Sequence, residues 1–283
     1  MRKHSYHIHT VFCDGKSTPE EMVKAALDGN MECIGFSAHA AWPFATEWHL
    51  PPARYQEYID EISRLKTLYG QRIHILCGFE ADYLPDYTFP DRAIYRQFNP
   101  EYLIGSVHYI TADKQHQPAP VFSVDAPAAE VAKGLAEVFK NNGKKAVQKY
   151  WDTVRNMVSS CDFDIIGHLD VHRKRNGELR FFDESEPWYR RELKETVKVI
   201  ARSGKVVEIN TGGIARKAID DVYPSAELLS LLHARDVPLT VSSDAHRTGD
   251  ILCAYERAYD AARRAGYTKI ALLTSSGWTE DNL

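Results

Sequence analysis

The sequence predicts an α/β fold, with a closed (β/α) barrel favoured over an open sheet. Three observations lead there. Short apolar runs rich in Ile, Val and Leu alternate with helical patterns about seven times. The runs are apolar almost throughout, as parallel strands covered on both faces are. Nearly every run ends in a histidine or a carboxylate, and the carboxyl ends of barrel strands converge on one face where active sites sit. The chain has 283 residues and 44% hydrophobic content, ample for one such barrel, although the length alone also fits two smaller domains.

The elements follow in order. The first run is "YHIHT" (6–10). Thr18-Pro19-Glu20-Glu21 then reads as a helix start, with a capping hydroxyl, proline in the first turn and glutamate three positions on. Met22, Ala25 and Ala26 supply the apolar stripe, and Gly29 ends it. "CIGFSAH" (33–39) is the second strand. The next helix shows Tyr55, Tyr58, Ile59, Ile62, Leu65 and Tyr69 at helical spacing before Gly70. "IHILCGFEADY" (73–83) and "YLIGSVHYI" (102–110) are the third and fourth strands. The segment 110–127 is the longest polar connection and reads as a loop over the barrel mouth. "FDIIGHLD" (163–170), "VVEINTGG" (206–213) and "LTVSSDAH" (239–246) complete the strands. Further helices are expected near 126–140, 144–160, 187–203, 224–235 and 250–265.

Composition excludes several function classes. The charged fraction is 26% and the formal net charge is −4, so no basic surplus points to nucleic acid or an anionic membrane. No apolar run reaches the ~18 residues of a membrane span, and the N-terminus lacks the apolar core of a secretion signal. Five cysteines, Cys13, Cys33, Cys77, Cys161 and Cys253, are scattered without CxxC pairs. That usage fits reduced thiols and a cytoplasmic protein. Only Cys13, in a polar loop, stands out. No heptads or large apolar patch announce an oligomer interface, which leaves the oligomeric state open.

The residues at the strand ends carry the chemistry. They are His7 and His9, His39, Glu80, His108, His168 with Asp170, and Asp244 with His246. Residues i and i+2 of a strand share a face, so His7 and His9 can grip one cation together. Imidazole and carboxylate donors suit Zn, Mn or Fe, and the absence of thiolates argues against a structural zinc knot. A catalytic ion typically uses about three protein ligands, so this set fits two or three divalent metal ions, with Glu80 able to bridge. A lone histidine is more often a packed or solvated residue. His4, His49, His74, His116, His172 and His233 are read that way. Carboxylates and imidazoles gathered in a core without a cation would carry severe desolvation costs, so packing alone does not explain the ordered set.

The ordered motifs "HIHT", a histidine after the second strand, "GFEADY", "GSVHY", "GHLD" and "SSDAH" resemble the polymerase and histidinol phosphatase (PHP) superfamily over most of the chain. Within it, "FSVD", "KYW" and "EINTGGIARK" look most like the histidinol-phosphatase branch. The resemblance implies a single PHP-type phosphoesterase domain over 1–283, folded as a distorted (β/α)7 barrel of TIM-like form. It implies hydrolysis of L-histidinol phosphate to L-histidinol and phosphate; the attacking group is expected, from metal-ion chemistry, to be a hydroxide held between the metals that share Glu80. It also implies three metal positions. The first is held by His7, His9, Glu80 and Asp244. The second is held by Glu80, His108 and His168, and the third by Asp14, His39 and His246. Two departures stand out: Ala38 occupies a place where the family carries an acid, and segment 110–127 is long for the branch.

Phosphate-ester hydrolysis needs charge stabilised on an in-line displacement, which clustered divalent ions supply. Arg216 is the preferred phosphate clamp for its bidentate fork, with Arg173 and Lys217 as further candidates. For Lys217 a solvated surface role is the better expectation. Asp244 or His246 is expected to protonate the leaving alkoxide. The competing readings are a phosphoesterase for another small phosphate ester or nucleotide, and a non-catalytic metal-binding module.

Overall fold

A computed structural model describes residues 2–43, 46–112 and 121–283. Its elements are β1 (His4–Ser5), α1 (Pro19–Asp28), β2 (Cys33–His39), α2 (Tyr55–Tyr69), β3 (His74–Asp82), α3 (Arg92–Tyr95) and β4 (Tyr102–Ser106). There follow β5 (Tyr109–Thr111), β6 (Val121–Ser123), α4 (Ala128–Phe139), α5 (Gly143–Ser160), β7 (Ile165–Ile166), α6 (Asn176–Leu179) and α7 (Pro187–Ser203). The chain ends with β8 (Val206–Asn210), α8 (Gly212–Ala215), α9 (Ala226–His233), β9 (Leu239–Ser242), α10 (Tyr255–Ala265), β10 (Lys269–Thr274) and β11 (Gly277–Asn282). Seven strands form one parallel sheet in the order β1-β2-β3-β4-β7-β8-β9. The sheet curls until β1 meets β9, giving the expected distorted (β/α)7 barrel.

Alternation along the strands sorts side chains into two layers. Ile34, Phe36, Ile75, Phe79, Leu103, Ile166, Val207 and Val241 belong to the large core beneath the helices. The intervening positions belong to the barrel interior. At its amino-terminal end Tyr6, Cys33, Leu76, Tyr102, Ile104 and Ile165 make a separate apolar plug. Tyr102 anchors it, donating its hydroxyl to the carbonyls of Tyr6 at 2.7 Å and Phe36 at 2.8 Å. A Cβ on Gly35 or Gly78 would lie under 3 Å from the Tyr102 side chain, so these glycines admit the ring. Toward the carboxyl ends the interior turns polar: β3 runs Leu76, Gly78, Glu80, Asp82, and β8 runs Val206, Glu208, Asn210.

The helices form where the apolar periodicity requires. Thr18 caps α1 in a full capping box, and Met22, Val23 and Ala26 bury its inner face. On α2 the buried stripe is Tyr55, Tyr58, Ile62 and Leu65, and the Tyr58 hydroxyl donates to the Gly78 carbonyl of β3 at 2.9 Å.

Three regions differ from expectation. The first strand is His4–Ser5, not 6–10. Beyond it the Ile8 N–H donates to the Ser37 hydroxyl at 3.0 Å instead of a β2 carbonyl, and His9 N–H donates to Ala245 O at 2.9 Å. The chain thus stays beside β2 as far as Ile8, whose carbonyl accepts from Ser37 N–H at 3.0 Å, and turns from there toward the end of β9 with His9. Segment 110–127 contains an antiparallel hairpin, β5 with β6, so it is not a plain loop. Its residues 113–120, including His116, lie outside the described residues. Finally, the hairpin β10–β11 was not anticipated. It packs Leu273 and Trp278 against the plug, and Leu273 N–H donates to the Tyr6 hydroxyl at 2.8 Å.

Candidate metal centre

The strand ends bring scattered donors into three adjoining groups. In the first, His7 Nε2 lies 3.1 Å from Glu80 Oε2 and 3.7 Å from Asp244 Oδ1. His9 Nε2 lies 3.4 Å from each of the same two oxygens. In the second, Glu80 turns its other oxygen, Oε1, to His168 Nε2 at 3.0 Å and His108 Nε2 at 3.6 Å. In the third, Asp14 Oδ1 lies 3.7 Å from both His9 Nδ1 and His39 Nε2, while Asp14 Oδ2 lies 3.2 Å from His246 Nε2. His9 stacks between His39 and His246, with ring centroids 4.2 and 4.3 Å apart.

These groups fit divalent cations. His7 Nε2, His9 Nε2, Glu80 Oε2 and Asp14 Oδ1 are buried and make no hydrogen bond among the described residues, although each faces another donor atom. Left unpaired, each such group costs about 1–3 kcal/mol. His108 Nε2 and His168 Nε2 face each other at 3.1 Å, which requires a proton or a cation between two lone pairs. With neutral imidazoles, the carboxylates of Asp14, Glu80, Asp82, Glu208 and Asp244 leave the barrel mouth strongly negative.

Titration reflects that field. Burial disfavours charge on His7, but Glu208, Glu80 and Asp244 outweigh it and hold its pKa well above the ordinary value. His108 is also opposed by burial, yet Asp82 and Glu80 push it up to about 10. His9 moves the other way, down to about 3, because burial is reinforced by His39 and His246. Burial raises Glu80, but His7, His39 and His108 more than reverse this and hold it well below the usual carboxylate range.

A further tier orients the donors. Glu208, fully buried, accepts from His7 Nδ1 at 2.9 Å, the His168 backbone N–H at 2.8 Å and Asn210 Nδ2 at 2.8 Å. Asp82 Oδ1 accepts from His108 Nδ1 at 2.6 Å, and its Oδ2 accepts from Trp42 Nε1 at 2.8 Å. Each leaves an imidazole Nε2 lone pair aimed at the cluster. Ser106 donates to Glu80 Oε1 at 2.6 Å. Sequence reasoning missed Glu208, Asp82 and Ser106. A carboxylate within the apolar run "VVEIN", and one two residues beyond Glu80 on the same strand face, were the available signals.

The other candidates separate. Arg216 donates to Asp244 Oδ2 at 2.7 Å and to the Asp244 carbonyl at 2.9 Å, with its side chain about a third exposed. It lines a cavity of about 360 Å³ together with Glu80, His108 and His246. Arg173 does not reach this cavity: its guanidinium pairs with Asp170, Glu184 and Asp221. Its chain neighbour Lys174 does line it, and was overlooked. Lys217 is exposed and outside the lining. Asp170 accepts from Ser225 N–H and Arg173, so it braces the wall instead of joining the donors. Cys13 Sγ sits 3.5 Å from His9 Nδ1, and burial pushes its thiol up to about 12, which keeps it protonated. His49, read as ordinary, is buried beside Asp82 at 3.5 Å. His172 is enclosed by Tyr150, Trp151 and Phe182, away from the donors.

A PHP domain profile matches residues 5–212. The chain belongs to the PHP domain family. Among its PHP relatives, a Deinococcus radiodurans protein named a probable histidinol-phosphatase is 28% identical over 263 residues, covering 92% of both chains. The histidinol-phosphatase of Bacillus subtilis is 26% identical, covering 90% of this chain and 98% of its own. In structure, the PHP barrel is similar to histidinol phosphate phosphatase from Lactococcus lactis, solved with zinc, L-histidinol and phosphate. That match has a TM-score of 0.69 at 21% identity, over 98% of this chain and 99% of the other. No helix among the described residues is long and apolar enough to cross a membrane.

Proposed function

We propose that this PHP protein is a metal-dependent phosphomonoesterase that hydrolyses L-histidinol phosphate to L-histidinol and phosphate, as one catalytic domain over 1–283 acting in the cytoplasm. Relatives named histidinol-phosphatase match along nearly the whole chain, which supports the substrate. The observation that carries the chemistry is the set of buried imidazole and carboxylate donor atoms crowded around Glu80, several of them without a hydrogen bond.

The assignment follows the donor groups. His7, His9, Glu80 and Asp244 would hold one ion, and Glu80, His108 and His168 a second. Asp14, His39 and His246 would hold a third. Zn, Mn and Fe all suit these donors. When bound, such ions supply a water acidic enough to attack at neutral pH and neutralise phosphoryl oxygens. The protein's own groups do the rest. Glu208 and Asp82 fix the rings of His7 and His108. Arg216, held by Asp244, offers its guanidinium to a phosphoryl oxygen, and Lys174 adds a second positive charge to the cavity lining. Asp244 is a poor proton donor: burial favours its neutral form, but Arg216 and His7 hold its pKa well below the usual range. His246, at the rim, is the better acid for the leaving alkoxide if only the first two positions are filled.

The test is a substrate panel on zinc- and manganese-loaded protein, comparing L-histidinol phosphate with nucleotides and sugar phosphates. His9→Ala and Glu80→Ala should lose bound metal and turnover together. Phosphatase activity that persists with little metal bound would refute the mechanism. A flat panel would favour a non-catalytic metal-binding module.

A further inference from the structure

The cavity wall carries charges that the phosphate chemistry does not need. Asp125, just past β6, forms an ion pair with Lys174 at 3.0 Å, and the two side chains are only 25% and 12% exposed. Glu130, in the first turn of α4, lines the same cavity, and its side chain makes no hydrogen bond or ion pair among the described residues. Both carboxylates thus share a 360 Å³ space with Glu80 and Asp244, where a phosphate dianion must enter. For a substrate that is only an anion, they are repulsive. The adjoining wall is aromatic: Trp48 and Tyr109 stack with planes 13° apart, and Tyr109 belongs to the same β5–β6 hairpin that leads to Asp125.

We propose that Asp125, aided by Glu130, is the subsite for a cationic amine on the leaving alcohol, and that substrate binding exchanges the Lys174–Asp125 pair for two pairs with the substrate. This rests on the phosphatase reading and goes beyond it. A zwitterionic ester satisfies both halves of the internal pair. Its phosphoryl group takes Lys174, and its ammonium takes Asp125. A phosphate ester without the amine takes Lys174 and strands Asp125 as a half-buried carboxylate without its cation, which is the costly case. Among the described residues Asp125 Oδ1 accepts only a long 3.3 Å contact from Ser123, so acceptor capacity remains for the ammonium. Trp48 and Tyr109 supply a flat face for a planar ring on the same alcohol. The selection is therefore made by a penalty on the wrong substrate as much as by contacts with the right one.

The experiment compares kcat/KM for L-histidinol phosphate and for 3-(imidazol-4-yl)propyl phosphate, which lacks only the amino group, in the zinc-loaded enzyme. The expected preference for the amine is at least about 100-fold, and Asp125→Asn should cut that ratio by about ten-fold or more. Glu130→Gln, at an exposed site, should cut it by about two- to five-fold. It serves if Asp125→Asn does not fold. Inhibition of the wild type by L-histidinol and by its deaminated counterpart gives the same ratio without any substitution. If both esters are hydrolysed with kcat/KM within about three-fold of each other, or if Asp125→Asn leaves the ratio unchanged, the subsite is refuted while the phosphatase reading stands. If the loaded enzyme hydrolyses neither ester, the phosphatase reading falls, and the subsite with it.

Discussion

Glu208→Gln tests whether the buried carboxylate behind His7 sets the metal affinity. Among the described residues Glu208 Oε1 accepts three hydrogen bonds, from His7 Nδ1, His168 N–H and Asn210 Nδ2, while Oε2 accepts only from His7 Nδ1 at 3.1 Å. A glutamine with its oxygen at the Oε1 position keeps all three. Its amide nitrogen then faces the Nδ1 proton where Oε2 was. The substitution removes the negative charge and half of a forked acceptor, with almost no change in shape. A bond to a charged partner is about twice as strong as a neutral one, so His7 loses roughly 1–1.5 kcal/mol of orientation and basicity. Loss of such an outer partner typically costs about 10–100-fold in metal affinity, or about 1.4–2.7 kcal/mol. Zinc titration against a competing chelator at fixed pH reads this directly. Activity should fall in parallel at limiting zinc and recover in part at excess. A folded variant whose zinc affinity stays within about three-fold of the wild type would refute the link from Glu208 through His7 to the ion.

Further predictions concern the same centre and the barrel beneath it. Chelation should abolish phosphomonoester turnover and lower the Tm, and free zinc at about 100 times its Kd should restore about 2.7 kcal/mol of stability; an unchanged Tm would argue against ion binding to the native state. Arg216→Lys should lower kcat/KM by about ten-fold or more, because an ammonium cannot reproduce the fork to Asp244; a wild-type rate would remove Arg216 from the phosphate contact. In the metal-free protein His108 keeps its proton up to about pH 10, so zinc binding at pH 7 should release protons and weaken as pH falls; affinity that is flat from pH 6 to 8 would contradict this. The same raised pKa means that the His108 contribution to metal-free stability is complete below about pH 6.5 and is lost as pH rises through about 10, which pH-dependent denaturation would measure. Tyr102→Phe, which deletes two buried hydrogen bonds, should cost about 1–3 kcal/mol without altering metal content; a change in bound zinc would show that the plug and the mouth are coupled.

The sequence revealed what depends on position along a strand. His7, His39, Glu80, His108, His168 and Asp244 were visible because period-two geometry and the barrel's polarity put strand ends in one place. The capping box at Thr18 was visible because it is local. What escaped reading depended on which neighbour a side chain meets. Arg173 and Lys174 are adjacent cations, and only the turn after β7 decides that the first faces three carboxylates and the second the cavity. Glu208 looked like an oddity in an apolar strand until His7 arrived from 201 residues away. Polar segment 110–127 hid a hairpin, because three-residue strands such as β5 and β6 carry too little periodicity to be read.

The join between the first and last barrel strands has a consequence of its own. No continuous ladder links β1 to β9. The seam is closed by Ser5 with Ser243 at 3.1 Å, His4 with Thr240 at 2.8 Å, and the single bridge of Ile8 to Ala245. Such a seam opens more readily than its neighbours, and amide exchange should be fastest there. His7 and His9 lie on one side of it and Asp244 on the other. An ion gripped by all three acts as a rivet across the weakest line of the cylinder, so zinc should slow exchange along that line far more than anywhere else.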